Sequence, residues 1–434
     1  MPIDPHFDVT ETGDTAFAVE GATVKFGPGV LSEIGGDARA LGVSRVAVFT
    51  DRWVAKLKPL ASVVAALRNA GIDAVIYDEV AVEPTDASFQ AGARFAVEGH
   101  FDGFVSVGGG SVIDTCKAAN LYSTYPDDMM AYVNAPVGAA KAVPGPLKPH
   151  IACPTTFGTA SECTGHAICD FPKLGAKSGI VSKRLKPVLG LLDPTVLQTL
   201  PPFIVAANGF DVLTHAIESY TARPYTKRPK PDKPELRPTS QGANPYSDFS
   251  CLEAIRVTGK YLEQAVLDPS VSVLEPLMFA GMLAGIGFNN AGCHIPHGMS
   301  YAVSGLVKNY FAPGYPQDHP MIPHGVAVVV NAPVAFRFTG PVSPERHLRA
   351  AEALGADIRG ADPKDAGAVL ANRFVEMMKK TGIPNGLSGV GFGQEDLSAL
   401  TAKAAPQKRL LDNSPRPVGK EDLERMFGEA IAYW

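Results

Sequence analysis

Phe104-Val105-Ser106-Val107-Gly108-Gly109-Gly110-Ser111-Val112-Ile113-Asp114 is one continuous strand–turn–helix signal. Its first four residues are a short apolar run of the kind that forms a buried strand. Three glycines follow, then a helical pattern that continues to about Leu121. Ser111 and Asp114 have capping-box-like spacing for that helix. A strand that passes through glycines into a helix start lets a ligand approach the backbone and offers it free N–H groups, which suits a pyrophosphate. A tight turn without a ligand is the competing reading. The order is not the usual Gly-x-Gly-x-x-Gly, and it follows a late strand instead of the first.

Working outward, strands and helices alternate. Arg45–Thr50 reads as a strand, Leu57–Ala70 as a helix stopped by Gly71, Ala74–Tyr77 as a strand and Ser88–Gly99 as a helix. Ile151–Cys153 and Val188–Leu192 are further short strands. This alternation predicts a parallel sheet wrapped by helices. Asp51 closes the first of these strands, where an acid accepts from ribose hydroxyls and disfavours a 2′-phosphate, so NAD is expected over NADP; a turn aspartate is the plainer reading. Pro154–Glu162 gathers the hydroxyls of Thr155, Thr156 and Thr159 around Gly158, as a nicotinamide or phosphate loop would, or as a capped turn. Lys177, before a β-like stretch, meets either a phosphate or solvent.

Beyond Leu200-Pro201-Pro202 helical periodicity takes over. The expected architecture is an α/β dinucleotide-binding domain with a Rossmann-like parallel sheet over residues 1–199 and an all-helical metal-binding domain over 200–434. Ser247–Val266, Leu274–Ala291, Pro344–Leu354 (capped by Ser343), Lys364–Thr381, Glu395–Ala404 and Lys420–Tyr433 are its predicted helices. Arg223–Pro238, rich in Pro, Lys and Arg, is expected as a solvated surface loop.

The totals bound the rest. With 434 residues two domains are expected, and a net charge of -5 gives no basic surface for nucleic acid. The longest apolar run, Leu277–Phe288, falls short of the roughly 18 residues of a membrane span. Met1–Gly13 carries acids and no apolar core, and no Arg-rich leader is visible. Six scattered cysteines without zinc-ribbon spacing read as reduced thiols. A cytoplasmic protein is therefore expected, and it is expected to form a homo-oligomer, a dimer.

The chemistry concentrates in Asn208–Glu218. Asp211 and His215, four apart, share one helix face. The tetrapeptide Ile-Pro-His-Gly then occurs twice, around His297 and around His324. One Asp-x-x-x-His pair is a weak signal. Four of the ten histidines (His215, His294, His297, His324), however, lie in apolar or Gly/Pro surroundings, where an unpaired imidazole is costly. A divalent cation shared by Asp211, His215, His297 and His324 resolves that cost; the ligand set suits iron(II) or zinc. His294 competes with His297 for the role; the context shared with His324 favours His297 and leaves His294 close to the substrate. Such a cation acts as a Lewis acid on an alcohol, whose hydride a nicotinamide accepts. The two domains are thus expected to face each other across a cleft.

At these residues the chain resembles the iron-containing alcohol dehydrogenases over nearly its whole length. The matching stretches are Gly108–Asp114, Pro154–Glu162, Asp211–Glu218, Phe288–Ala291 and Pro323–Gly325. The resemblance implies the same four metal ligands, with iron preferred over zinc. It also implies NAD contacts at Asp51, Gly108, Gly109, Gly110, Ser111, Asp114, Thr155, Thr156, Thr159 and Lys177. His294–Tyr301, Gln241–Pro245 and Pro344–Leu348 are similar to the hydroxyacid-oxoacid transhydrogenase branch. That branch implies a small hydroxy acid and an oxo acid as substrates and a nicotinamide that stays bound. Many family members carry a histidine where Tyr301 stands; its hydroxyl either relays a proton in place of that histidine or packs. With His294, it completes the expected catalytic pair. An NAD-dependent alcohol or 4-hydroxybutyrate dehydrogenase, a lyase of the dehydroquinate-synthase type and a non-catalytic metal binder are the other readings. The lyase would need cations around the metal that residues 205–220 and 288–301 lack.

Overall fold

The computed structural model describes residues 6–434, the side chain of Glu235 excepted. The expectation placed on Met1–Gly13 therefore lies partly outside the described residues. Residues 21–200 form one unit, and residues from 201 onward, joined by the described part of the first twenty, form the other.

In the first unit the strands are β1 (Val24–Phe26), β2 (Arg45–Phe49), β3 (Asp73–Tyr77), β4 (Gly103–Gly108), β5 (His150–Pro154), β6 (His166–Phe171), β7 (Ala176–Val181) and β8 (Leu189–Leu192). The helices are α1 (Ile34–Ala40), α2 (Lys58–Asn69), α3 (Asp86–Gly99) and α4 (Gly110–Thr124). Six strands make one sheet, ordered β1-β8-β5-β4-β2-β3, and every pairing in it is parallel. The predicted alternation is what builds it. The residues of β4 are all buried, as expected of a strand covered on both faces. Phe49, Tyr77 and Phe104 from the strands pack with Ala96, Cys116 and Ala119 from α3 and α4. From β2 the chain moves outward to β3, then returns to place β4 on the opposite side of β2. That reversal puts the topological switch point at the carboxyl ends of β2 and β4, the place where open α/β sheets bind ligands.

Three elements of this unit were not predicted: β1, which has only three residues, α1, and β6, which pairs with the β-like stretch at Lys177, here β7, as an antiparallel hairpin outside the main sheet. The hairpin covers a cluster of Phe89, Leu121, Tyr122, Phe171 and Ile180.

The helical unit is built on α5 (Pro202–Thr221), which is buried at every residue from Val205 to Thr221. Around it lie α6 (Pro245–Leu267), α7 (Val271–Ala291), α8 (Ile295–Gly305), α9 (His324–Val329), α10 (Ala332–Thr339), α11 (Pro344–Ala353) and α12 (Ala366–Lys380), with three short helices at the C-terminal end. A Cβ on Gly209 would lie 2.2 Å from Leu262 Cδ1, so this glycine lets α5 and α6 approach closely. Asn244 and Ser247 cap α6 reciprocally. Ser343 stands at the N-cap of α11 but gives it no side-chain cap; its hydroxyl lies 3.3 Å from His347 Nδ1. By length and composition alone, α7, which contains the apolar run, and the stretch His324–Val342 could cross a membrane; both are mostly buried in this unit.

Two expectations change here. The first concerns the boundary: the described residues up to Glu20 belong with the helical unit, not with the sheet. Gln241 exchanges hydrogen bonds with the backbone of Ala18, and Asn290 does the same with Glu20. The second concerns the basic insert, which is not simply solvated. Asp14 is fully buried and accepts from both Arg228 and Arg237. Burial alone would raise the Asp14 pKa. The hydrogen bonds from Arg237 and from the Ala16 N–H, with the charges of both arginines, outweigh that and hold it below the ordinary carboxylate value.

Candidate metal centre and dinucleotide site

Asp211 and His215 sit one turn apart near the middle of α5. His297 is the third residue of α8 and His324 the first of α9, so the repeated tetrapeptide is used in two different helical frames. The glycine that follows each histidine has a packing reason. A Cβ on Gly325 would lie 2.3 Å from the Ala207 carbonyl oxygen and 3.3 Å from Asp211 Cβ, so its absence lets α9 lie against α5 and sets His324 beside Asp211. A Cβ on Gly298 would lie 2.9 Å from Leu411 Cδ2.

One ligand atom from each of Asp211, His215, His297 and His324 lies within 4.8 Å of all the others. Asp211 Oδ1 is 3.6 Å from His215 Nδ1, 3.7 Å from His324 Nε2 and 3.9 Å from His297 Nε2. Ligands about 2.1 Å from one ion in a tetrahedral array stand about 3.4 Å apart, so these spacings suit a single divalent cation. His297 Nε2 is buried without a hydrogen-bond partner among the described residues. An imidazole nitrogen in that condition is costly unless a cation takes its lone pair. The donor set therefore fits a metal. His324 is the one member of the four that is not fully buried.

Neighbouring side chains fix these ligands. Glu218 accepts from the His297 backbone N–H at 3.0 Å and from His297 Nδ1, which places the proton on Nδ1 and turns the Nε2 lone pair toward Asp211. A carboxylate behind a ligating histidine is the usual way its tautomer is set. Burial would depress the His297 pKa, but the charge and hydrogen bond of Glu218 and the charge of Asp211 outweigh it and raise the value. The same negative field favours a metal cation. Phe288 stacks on His215 with ring centroids 4.2 Å apart. Glu218 and Phe288 are not among the predicted site residues. Asp211, His215 and Glu218 are spaced i, i+4, i+7, a polar stripe on an otherwise apolar helix that marks Glu218 as part of the same face. Glu218 also belongs to a second possible cluster, with Cys293 and His297. Its carboxylate oxygens are already engaged by His297.

His294 stands apart from the cluster, which corrects its expected catalytic role. Its Nδ1 accepts from the Ile295 N–H at 2.8 Å, and its Nε2 lies 3.1 Å from Thr221 Oγ1. Thr221 already donates to the Ile217 carbonyl, so His294 Nε2 is the donor in that pair. Burial lowers its pKa to about 4. A neutral ring with both nitrogens engaged caps α8 and has none left for a substrate proton. Tyr301, one turn after His297, packs with Cys293, Leu410 and Phe288.

In the sheet unit, three predicted stretches meet at adjacent strand ends. Gly108 ends β4 and pairs with Pro154 at the end of β5, and the Thr155 N–H donates to the Gly108 carbonyl. A Cβ on Gly109 would lie 3.3 Å from the Thr156 side chain, and one on Gly110 2.7 Å from that of Thr159. Gly109 and Gly110 thus stand where the two loops touch, whereas a Cβ on Gly108 would meet Val112 Cγ2 at 2.5 Å. Asp51, at the end of β2, accepts from the Trp53 and Val54 N–H groups through Oδ1, as the plainer turn reading expects. Lys177 lies within β7, where it pairs with Glu83 and Asp170.

The capping box does not form. Gly109 is the N-cap of α4, and Ser111 instead accepts from the Glu83 N–H. Asp114 accepts from Ser161 and from the Ile168 N–H, with the buried Lys117 ammonium 3.5 Å away. These contacts make Asp114 a brace between α4 and the strand that follows the threonine loop. Burial raises its pKa, and it lowers that of Lys117, which also donates to Ser161 and to the His166 carbonyl.

A fold of this kind, with this site, defines a class, and comparison with known families agrees. Residues 21–194 match the model described as iron-containing alcohol dehydrogenase, and residues 239–431 match that of the C-terminal region of the same family. The chain belongs to the iron-containing alcohol dehydrogenase family and is an oxidoreductase. Within it, the chain is 49% identical over 419 residues to the mitochondrial hydroxyacid-oxoacid transhydrogenase of Xenopus laevis, covering 96% of this chain and 90% of that one. It is 46% identical over 420 residues to the human protein of the same name, with the same shares covered. Among solved structures, 1,3-propanediol oxidoreductase and the alcohol dehydrogenase of Oenococcus oeni each superpose with a TM-score of 0.83 at 28% identity, covering 96% of this chain and all of theirs.

These relatives are named mitochondrial, which overturns the cytoplasmic expectation. All six cysteines are buried and free. Reduced thiols suit any reducing compartment, so they never distinguished one from another.

Proposed function

We propose that this chain is a metal- and NAD-dependent hydroxyacid-oxoacid transhydrogenase that moves a hydride from 4-hydroxybutyrate to 2-oxoglutarate through a nicotinamide that stays bound. The convergence of Asp211, His215, His297 and His324, in a chain nearly half identical to proteins of that name, is the observation that carries it. A divalent cation held by these four supplies a Lewis acid to the hydroxyl or carbonyl oxygen of the substrate; iron(II) is the choice over zinc, on the family's name. Glu218 keeps the His297 Nε2 lone pair directed at that position, and Phe288 holds the His215 ring.

In the sheet unit, Gly108, Gly109, Gly110 and Ser111 at the start of α4 take the pyrophosphate, where backbone N–H groups favour anions. Thr155, Thr156 and Thr159 add hydroxyls beside them, and Lys177 a cation. Asp51 Oδ2 accepts from the ribose hydroxyls while Oδ1 keeps its turn.

The test is to mix purified protein with 4-hydroxybutyrate and 2-oxoglutarate, with no NAD added, and to assay 2-hydroxyglutarate. Its appearance is the expected result. Its absence, with metal and cofactor both measured as bound, removes the transhydrogenase reading. Stoichiometric reduction of free NAD by an alcohol without any oxo acid would favour an ordinary dehydrogenase.

A further inference from the structure

The loop from β3 to α3 is strung across the carboxyl ends of the neighbouring strands, where open α/β sheets bind their ligands. It first touches the end of β2, where the Val80 N–H donates to the Thr50 carbonyl at 3.4 Å. It next reaches the start of α4, where the Glu83 N–H donates to Ser111 Oγ at 3.1 Å. It then joins the hairpin: the Asp170 N–H donates to the Pro84 carbonyl at 2.8 Å, and Thr85 bridges to Asp170. Thr85 finally caps α3 by accepting from the Ser88 N–H.

Within this loop Glu83 is held in an unfavourable conformation. Its φ of 53° lies in the left-handed region, which residues with long side chains seldom enter. The proline that follows favours an extended backbone instead. Strain of this kind persists where surrounding contacts over-determine it, and it gathers at functional sites. Two contacts hold Glu83. Its backbone N–H binds Ser111, and its carboxylate pairs with the ammonium of Lys177 on β7. The Lys177 side chain is buried, and Asp170 lies farther from it, at 3.7 Å. A glycine would take the left-handed backbone at less cost, but it would bring no carboxylate to Lys177.

Ser111 and Lys177 come from different elements, and both are proposed contacts of the dinucleotide. We infer that Glu83 is a positioning residue for the cofactor: it sets the Ser111 hydroxyl and the Lys177 ammonium together toward the bound dinucleotide and so slows its release. Because Ser111 Oγ accepts from the Glu83 N–H, its own hydrogen is left to donate to a phosphate oxygen. An ammonium carries three donors, so a carboxylate can hold Lys177 in place while another N–H meets the anion. This inference rests on the dinucleotide site of the proposed function and adds to it the residue that keeps the nicotinamide in place.

The experiment loads the metal-containing protein with NADH, chases it with excess NAD, and follows the loss of bound-NADH fluorescence by stopped flow. Wild type is compared with Glu83→Gln, which keeps the size and the backbone N–H but not the charge, and with Glu83→Asp, which keeps the charge. Loss of a charge-assisted contact predicts release about 10- to 100-fold faster in Glu83→Gln. Glu83→Asp should fall between the two. Metal content should stay at the wild-type value, since the metal ligands belong to the other unit. Unchanged release in Glu83→Gln would overturn the inference, as would faster release accompanied by loss of the metal, the mark of a general loosening. Wild-type release faster than turnover would instead remove the reading of a nicotinamide that stays bound; the inference would then stand only if Glu83→Gln released faster still. A wild-type protein that binds no NADH would overturn both.

Discussion

At the scale of single residues, the metal centre depends on which nitrogen of His297 carries its proton. Glu218 accepts from Nδ1 and so leaves the Nε2 lone pair for a cation. In Glu218→Gln an amide N–H would donate to Nδ1 and push the proton onto Nε2, the atom that faces Asp211. We expect metal affinity to fall about 10- to 100-fold, the range for loss of a group that orients a ligand, as read by competition with a calibrated chelator. The four ligands were legible from residue type and context. Glu218 was legible only as part of a stripe along α5, once that helix is seen to be buried on every side. The choice between His294 and His297, three residues apart, rested on context alone. What separates them physically is Thr221 and the Ile295 N–H, which occupy both nitrogens of His294.

At the scale of elements, periodicity gave the parallel strands and long helices because their burial repeats along the chain. It could not give the three-residue β1 or the β6–β7 hairpin, whose stability comes from partners distant in sequence. The described residues up to Glu20 are the clearest case. Nothing local in them reports Gln241, Asn290, Arg228 and Arg237, yet these side chains hold the segment to the helical unit. Removing Asp14 leaves Arg228 buried without its counter-ion, a change that costs about 3–5 kcal/mol in comparable cases. Asp14→Ala should therefore lower the unfolding midpoint of this unit and speed tryptic cleavage after Lys227. Acid should act in the same direction. The folded-state pKa of Asp14 is depressed, so its contribution is complete above the ordinary carboxylate value and is lost as pH falls through the lower folded value. The stability gap between wild type and Asp14→Ala should therefore close below about pH 4, as followed by denaturant titrations across that range.

At the scale of the whole molecule, the cation would join three helices of the helical unit that are far apart in the chain, so its binding is also a folding term. A metal present at a thousand times its dissociation constant stabilises the folded state by about 4 kcal/mol. Chelation should lower the unfolding temperature of the protein, and re-addition of iron(II) should restore it, as read by calorimetry with NAD held constant. The most direct measurement is the metal content of the purified protein and of Asp211→Ala, determined by elemental analysis against protein concentration. The expected result is one divalent ion per chain in the wild type and close to none in the variant. Full occupancy in Asp211→Ala would contradict it.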